Sequence, residues 1–247
     1  MNIHISASAE QQGVDAATHA AGIMNAAIAR NGRARIVLST GASQFDFFKA
    51  FVTMDIDWSK VEAFHLDDYI NMPEDHPASF KKYLKERFLN QAPVGTMHFV
   101  NGSAELQGEI ARLTEEIRKE PIDLALIGIG ENTHIAFNDP PADFDTTEAF
   151  KVVELDDVCR NQQFKEGWFA TLNDVPSVAL TMTVHEMMRS KAIISCVPYP
   201  TKADAVKRVL EAPVSNAVPA SILKTHSDFS MYLDVESAAR IVNMNHG

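Results

Sequence analysis

Asp139 stands five residues after His134, and both follow an apolar run, residues 124–127, that breaks on Gly128 and Gly130. An imidazole and a carboxylate at that spacing, beyond the carboxyl end of a buried strand, are candidate proton-transfer groups. Glu131, Asn132 and Asn138 lie in the same stretch. Asp67 and Asp68 form a second candidate. On an extended segment their side chains face opposite ways, so one serves chemistry while the other binds backbone or caps the next element. Thr40, Gly41, Ala42 and Ser43 form a small-residue turn between a strand and a helix, with exposed N–H groups and hydroxyl donors suited to an anion such as phosphate. Lys202 falls in the first turn of a later helix, where a cation opposes the helix dipole unless an anion lies between them. Each motif also has a plain structural reading: G-x-G and TGAS occur in ordinary βα turns, and Asp67 and Asp68 are two of 33 acidic residues.

The elements that must hold these residues alternate. Helical spacing covers residues 10–29 and closes on Asn31-Gly32; a β-branched run at 34–39 precedes the TGAS turn; and a helix comes next over 44–54. Strands are expected at 61–66, 97–100, 124–127, 151–155, 178–182, 192–198 and 228–233. Helices are expected at 78–89, 104–119, from Asp156 as a cap, at 201–211, and at 237–243. This alternation forces parallel pairing with right-handed crossovers. The expected fold is α/β, Rossmann-like: one domain over residues 1–247, with an open, mostly parallel sheet of about seven strands and helices on both faces.

The 247 residues carry a formal net charge of −11, with 46% hydrophobic and 22% charged residues. That balance fits a soluble globular chain and makes nucleic acid a poor partner, so an anionic ligand requires a local positive site. No apolar run reaches the roughly 20 residues of a membrane helix. MNIHISASAE has neither the basic nor the apolar region of a secretion signal, and Cys159 and Cys196 support neither a disulfide framework nor a thiolate metal site. The expectation is a cytoplasmic protein with no membrane association and no resident metal; a homo-oligomer is allowed.

Three segments in this order, STGAS at 39–43, FHLDDY at 64–69 and GIGENTHIAFNDPP at 128–141, resemble the glucosamine-6-phosphate deaminase family, within the larger group that also holds the 6-phosphogluconolactonases. ALTM at 179–182, PYPTKADAV at 198–206 and PASIL at 219–223 extend the likeness nearly to the end. The resemblance implies a phosphorylated amino sugar as substrate, its phosphate on residues 40–43 and Lys202. Asp67 would move the C2 proton, while His134, helped by Asp139 and oriented by Asn132 through a hydrogen bond from the imidazole, would open the ring. No cofactor is implied. Some well-known members carry Asp, Gly and Glu where Asn132, Thr133 and Asp139 stand. An Arg that holds substrate in familiar members has no clear match; Glu166 falls near its place, with Arg160 or Lys165 as substitutes. The alternatives are a lactonase, with His134 activating water, and a sugar-phosphate sensor without catalysis.

Overall fold

The computed structural model of the chain describes residues 1–165 and 167–241. In chain order the strands are β1 (Asn2–Ser6), β2 (Ala34–Leu38), β3 (Val61–His65), β4 (Asp67–Tyr69), β5 (Thr96–His98), β6 (Leu124–Leu126), β7 (Phe150–Glu154), β8 (Val178–Met182), β9 (Ala192–Val197) and β10 (Phe229–Asp234). The helices are α1 (Ala9–Asn31), α2 (Phe45–Phe51), α3 (Phe80–Leu84), α4 (Leu106–Arg118), α5 (Asp157–Lys165), α6 (Val184–Met187) and α7 (Ala203–Glu211).

Seven strands form one parallel sheet in the order β1-β10-β9-β6-β2-β3-β5. Its central strands are buried on both faces, as the apolar runs require. Ile36 and Leu38 of β2 pack with the alanine-rich face of α1 and the phenylalanines of α2, while Val37 between them packs with Leu113 and Ile117 of α4. Ser8 caps α1 by accepting from the Gln11 N–H, and Gly32 at φ 77 closes it. Within α1, Gly13 lies against α2 so closely that a Cβ would stand 2.6 Å from the Asp46 carbonyl carbon.

From β2 the chain builds through β3 and β5 in one direction, then returns to the other side of β2 with β6, β9 and β10. The topological switch point therefore lies between β2 and β6. There the loops leaving the two strands part and open a crevice at their carboxyl ends.

The mostly parallel sheet and its helices match the expectation. Two expected strands belong elsewhere: β7 and β8 form a separate antiparallel sheet in the order β4-β8-β7. The cause lies at Leu66. Its N–H donates to the Leu38 carbonyl at 3.3 Å in the large sheet, and its carbonyl accepts from the Met182 N–H at 2.9 Å beside the small one. The chain thus changes sheets within one residue and presents Asp67 at the crevice. β1 was not expected and occupies the edge beside β10. Of the helix expected at 237–243, residues 237–241 take turn conformations and the remainder lies outside the described residues.

Candidate functional site

A cleft of about 750 Å³ opens at the switch point, lined by the turn at residues 40–43, Asp67, His134 and Lys202 together. Groups from β2, β3–β4, β6 and β9 thus converge on one hollow, although they are spread over more than half of the chain.

One wall of the cleft is built from two unusual backbones. Gly41 sits at φ 108, a region that glycine enters freely, and a 3-10 turn (Ala42–Gln44) carries the chain into α2. The Tyr83 hydroxyl donates to the Gly41 carbonyl at 3.0 Å, and Gln44 Nε2 donates to Ser43 Oγ at 2.9 Å and to the Cys196 carbonyl at 3.3 Å. Opposite stands Lys202, 9% exposed, at the end of the turn Pro200–Lys202. Tyr199 before it is held at φ 80, with its N–H donating to Asp234 Oδ2 at 3.0 Å and its hydroxyl to Asp46 Oδ2 at 3.3 Å. A bulky residue in that region is strained, and such strain concentrates where side chains are aimed for function.

Asp67 is 5% exposed. Burial, reinforced by the charge of Asp68 and opposed by the Phe137 N–H, pushes its carboxyl up to about 8. Asp68 faces the other way. Burial raises it to about 7 against the Tyr69 N–H, which donates to its Oδ1 at 2.9 Å, and the charge of Lys81. His65, enclosed below, is driven down to about 3 by burial and packs as a neutral ring against Phe80 and Phe99.

After β6 the backbone folds tightly: the Thr133 N–H donates to the Gly130 carbonyl at 3.0 Å and the Gly130 N–H to the His134 carbonyl at 2.9 Å. The imidazole of His134 lies directly on Gly130, leaving no space there for a Cβ. His134 Nδ1 is 3.2 Å from Asp139 Oδ1, an ion-pair distance. Burial alone would raise Asp139, but the imidazole, the Asn132 amide and the Cys159 thiol outweigh it and hold the carboxyl below its ordinary value. Asn132 differs from expectation. It does not accept from the imidazole; its Oδ1 accepts the His134 backbone N–H at 3.0 Å and its Nδ2 donates to Asp139 Oδ1 at 3.0 Å. An amide can perform both tasks because it carries a donor and an acceptor, whereas a carboxylate there would repel Asp139. Thr133 stands at φ 76, buried, with no hydrogen-bond partner for its hydroxyl among the described residues.

Arg160 is not brought to the cleft. Its guanidinium donates to the carbonyls of Leu172 and Val175 and pairs with Asp157 at 3.5 Å, tying α5 to the loop after it. Lys165 does line the cleft, as do Gln162, Trp168 and Tyr199, which sequence reasoning did not single out as ligands. Glu166 lies outside the described residues. The one available signal was proline on both sides of Tyr199, which restricts the backbone at that residue.

The profile of the glucosamine-6-phosphate isomerase/6-phosphogluconolactonase family matches residues 7–231. A glucosamine-6-phosphate deaminase of Streptococcus uberis is 32% identical over 212 residues, covering 85% of this chain and 89% of its own; one from Streptococcus pneumoniae is 31% identical, covering 84% and 88%. Among solved structures, a monomeric glucosamine-6-phosphate deaminase superposes with a TM-score of 0.88 at 27% identity over 97% of this chain and 100% of its own. A 6-phosphogluconolactonase from Shewanella baltica shares the fold, with a TM-score of 0.78 at 17% identity over 95% and 97%. No helix among the described residues is long and apolar enough to cross a membrane.

Proposed function

The chain belongs to the glucosamine-6-phosphate isomerase/6-phosphogluconolactonase family, and on that premise we propose that it converts glucosamine 6-phosphate, or a close amino-sugar phosphate, to fructose 6-phosphate and ammonia. The observation that carries the reading is that Asp67, His134, Lys202 and residues 40–43 all line one cleft. The phosphate rests between the 40–43 turn and Lys202, whose ammonium supplies a charge-assisted hydrogen bond. His134, with Asp139 behind it, moves the proton between the ring oxygen and the C1 hydroxyl, opening the pyranose to the aldehyde. Asp67, as carboxylate, removes the C2 proton to give an enolamine and returns a proton to C1. Water then adds to the resulting C2 imine and ammonia leaves, which balances the reaction. Asn132 holds Asp139 and the His134 backbone and touches no substrate.

A carboxyl pushed up to about 8 suits this role, because a base near the working pH is both available and strong enough for a carbon acid. The test is incubation of pure protein with glucosamine 6-phosphate and, separately, with 6-phosphogluconolactone. Stoichiometric ammonia and fructose 6-phosphate from the first support the reading. Lactone loss without ammonia release refutes it and assigns His134 to water activation. Tight binding of the amino-sugar phosphate with no turnover refutes it in favour of a sensor.

A further inference from the structure

Behind the cleft wall, three donors of different chemistry meet. His134 Nδ1 or Nε2, a carboxylate oxygen of Asp139 and the Sγ of Cys159 all lie within 4.8 Å of one another. We propose that His134, Asp139 and Cys159 form a binding site for one borderline-soft divalent cation, of which Zn²⁺ is the type, leaving the fourth position to water.

Two observations support it independently of that proximity. Asp139 Oδ2 and His134 Nδ1 are both buried without a well-aligned hydrogen bond among the described residues; Nδ1 approaches Oδ1 at 3.2 Å, and the carboxylate otherwise meets the Asn132 amide and the Cys159 thiol. Buried polar atoms left in this state are uncommon and point to a missing partner. A tetrahedral Zn²⁺ with bonds of about 2.0–2.3 Å separates its donors by roughly 3.5 Å, so closing the triangle requires shifts of about 1 Å or less. The donor set also selects the ion. Imidazole and thiolate suit Zn²⁺ and its neighbours, whereas Mg²⁺ and Ca²⁺ require oxygen donors. The thiol lies on α5, anchored by the Cys159 N–H donating to Asp156 Oδ1 at 2.7 Å, and it is fully buried. The ion therefore enters past His134 and Asp139, whose side chains are 12% and 11% exposed, and its binding releases the thiol proton.

The other comparable cluster, Glu62, His98 and Glu116, lacks these marks. Glu62 is already paired with Arg35 at 2.8 Å and His98 at 3.0 Å. Occupancy behind the cleft would take the ring nitrogen and the carboxylate that the proposed ring-opening step uses, making the cation a reversible inhibitor. That consequence, unlike the binding itself, rests on the proposed function.

The test titrates metal-free protein with Co²⁺ and follows the thiolate-to-cobalt charge-transfer band in the near ultraviolet. The band should saturate at one equivalent, disappear on adding Zn²⁺, persist in Cys196→Ser and be lost in Cys159→Ser. Should Cys159→Ser not fold, mass-mapped alkylation of the wild type decides: Zn²⁺ must slow labelling of Cys159 and leave Cys196 unchanged. Absence of the band, its survival in folded Cys159→Ser, or labelling indifferent to Zn²⁺ overturns the site. A band with cobalt, but no turnover of glucosamine 6-phosphate by the metal-free protein, would leave the site standing and refute the proposed function; turnover by the metal-free protein, with no band on adding cobalt, would do the reverse.

Discussion

Asp67→Asn separates a functional carboxylate from a merely structural one, because it should abolish turnover while making the protein more stable. In the folded chain the Asp67 carboxyl is raised from 3.8 to about 8, chiefly by burial. A group held higher in the folded state than in the unfolded one contributes full stability only when protonated in both. Below pH 4, therefore, Asp67 is no liability. As pH rises from about 4 to 8, the unfolded chain releases the proton while the folded chain retains it, and stability falls until both forms are ionised. At about 1.36 kcal/mol per pKa unit, the shift sets a ceiling of roughly 6 kcal/mol on the loss; local relaxation and water entry reduce it. Asparagine has nearly the same shape and no charge, so it escapes the loss. The expected gain is at least about 2 kcal/mol in urea unfolding at pH 9, shrinking toward zero at pH 4. Turnover should fall to background, with substrate binding close to wild type. A stability difference that does not change with pH, or an asparagine variant less stable at pH 9, would refute the assignment of a buried, high-pKa base.

On the proposed function, Lys202→Ala should remove a charge-assisted contact to the phosphate of about 1.5–3 kcal/mol, so KM for the phosphorylated sugar should rise roughly 10- to 100-fold with kcat less affected. Equal competition by unphosphorylated glucosamine would show that the anion site lies elsewhere. Gly130→Ala places a methyl where the His134 ring now lies; kcat should drop on the order of 100-fold while far-ultraviolet circular dichroism is unchanged, and an active variant would show that the ring position is unimportant. Thr133→Gly relieves a β-branched residue at φ 76 and removes a buried unpartnered hydroxyl. It should stabilise by about 1 kcal/mol, read as a higher urea midpoint; a loss of that size would mean that the packing of the threonine side chain outweighs its strain.

The legibility of each segment in the sequence depended on how strongly it is patterned. β2, β6 and β9 are fully buried strands dominated by apolar residues, broken only by Arg35 in β2 and Ser195 in β9, and both the strands and the turns after them were legible. β1 was not, because four of its five residues are exposed at the sheet edge, Ile3 and Ile5 among them. β4 is Asp-Asp-Tyr, in which two strand-poor residues outnumber one strand former, and its pairing with Thr181 and Leu180 is a long-range event. The sequence Phe-Lys-Val-Val-Glu of β7 does not alternate cleanly between polar and apolar residues, so the wet face that the structure gives it at Val152 and Glu154 was not legible. At the site, residue types were readable and partners were not. Asn132 and Arg160 both carry the right donors, but the loop directs the first to Asp139 and α5 directs the second to backbone carbonyls.

Leu66 belongs to both sheets, and this makes the small sheet a vernier for the carboxylates beside it. Successive residues of β4 point to opposite sides, so a slip of a single step against β8 would exchange Asp67 for Asp68 at the cleft. The Leu66 hydrogen bonds to Leu38 and Met182 set the zero of that scale. Changes of length in the segment that joins β7 to β8 can therefore accumulate without recalibrating it, whereas one inserted residue between β3 and β4 would misalign the instrument entirely.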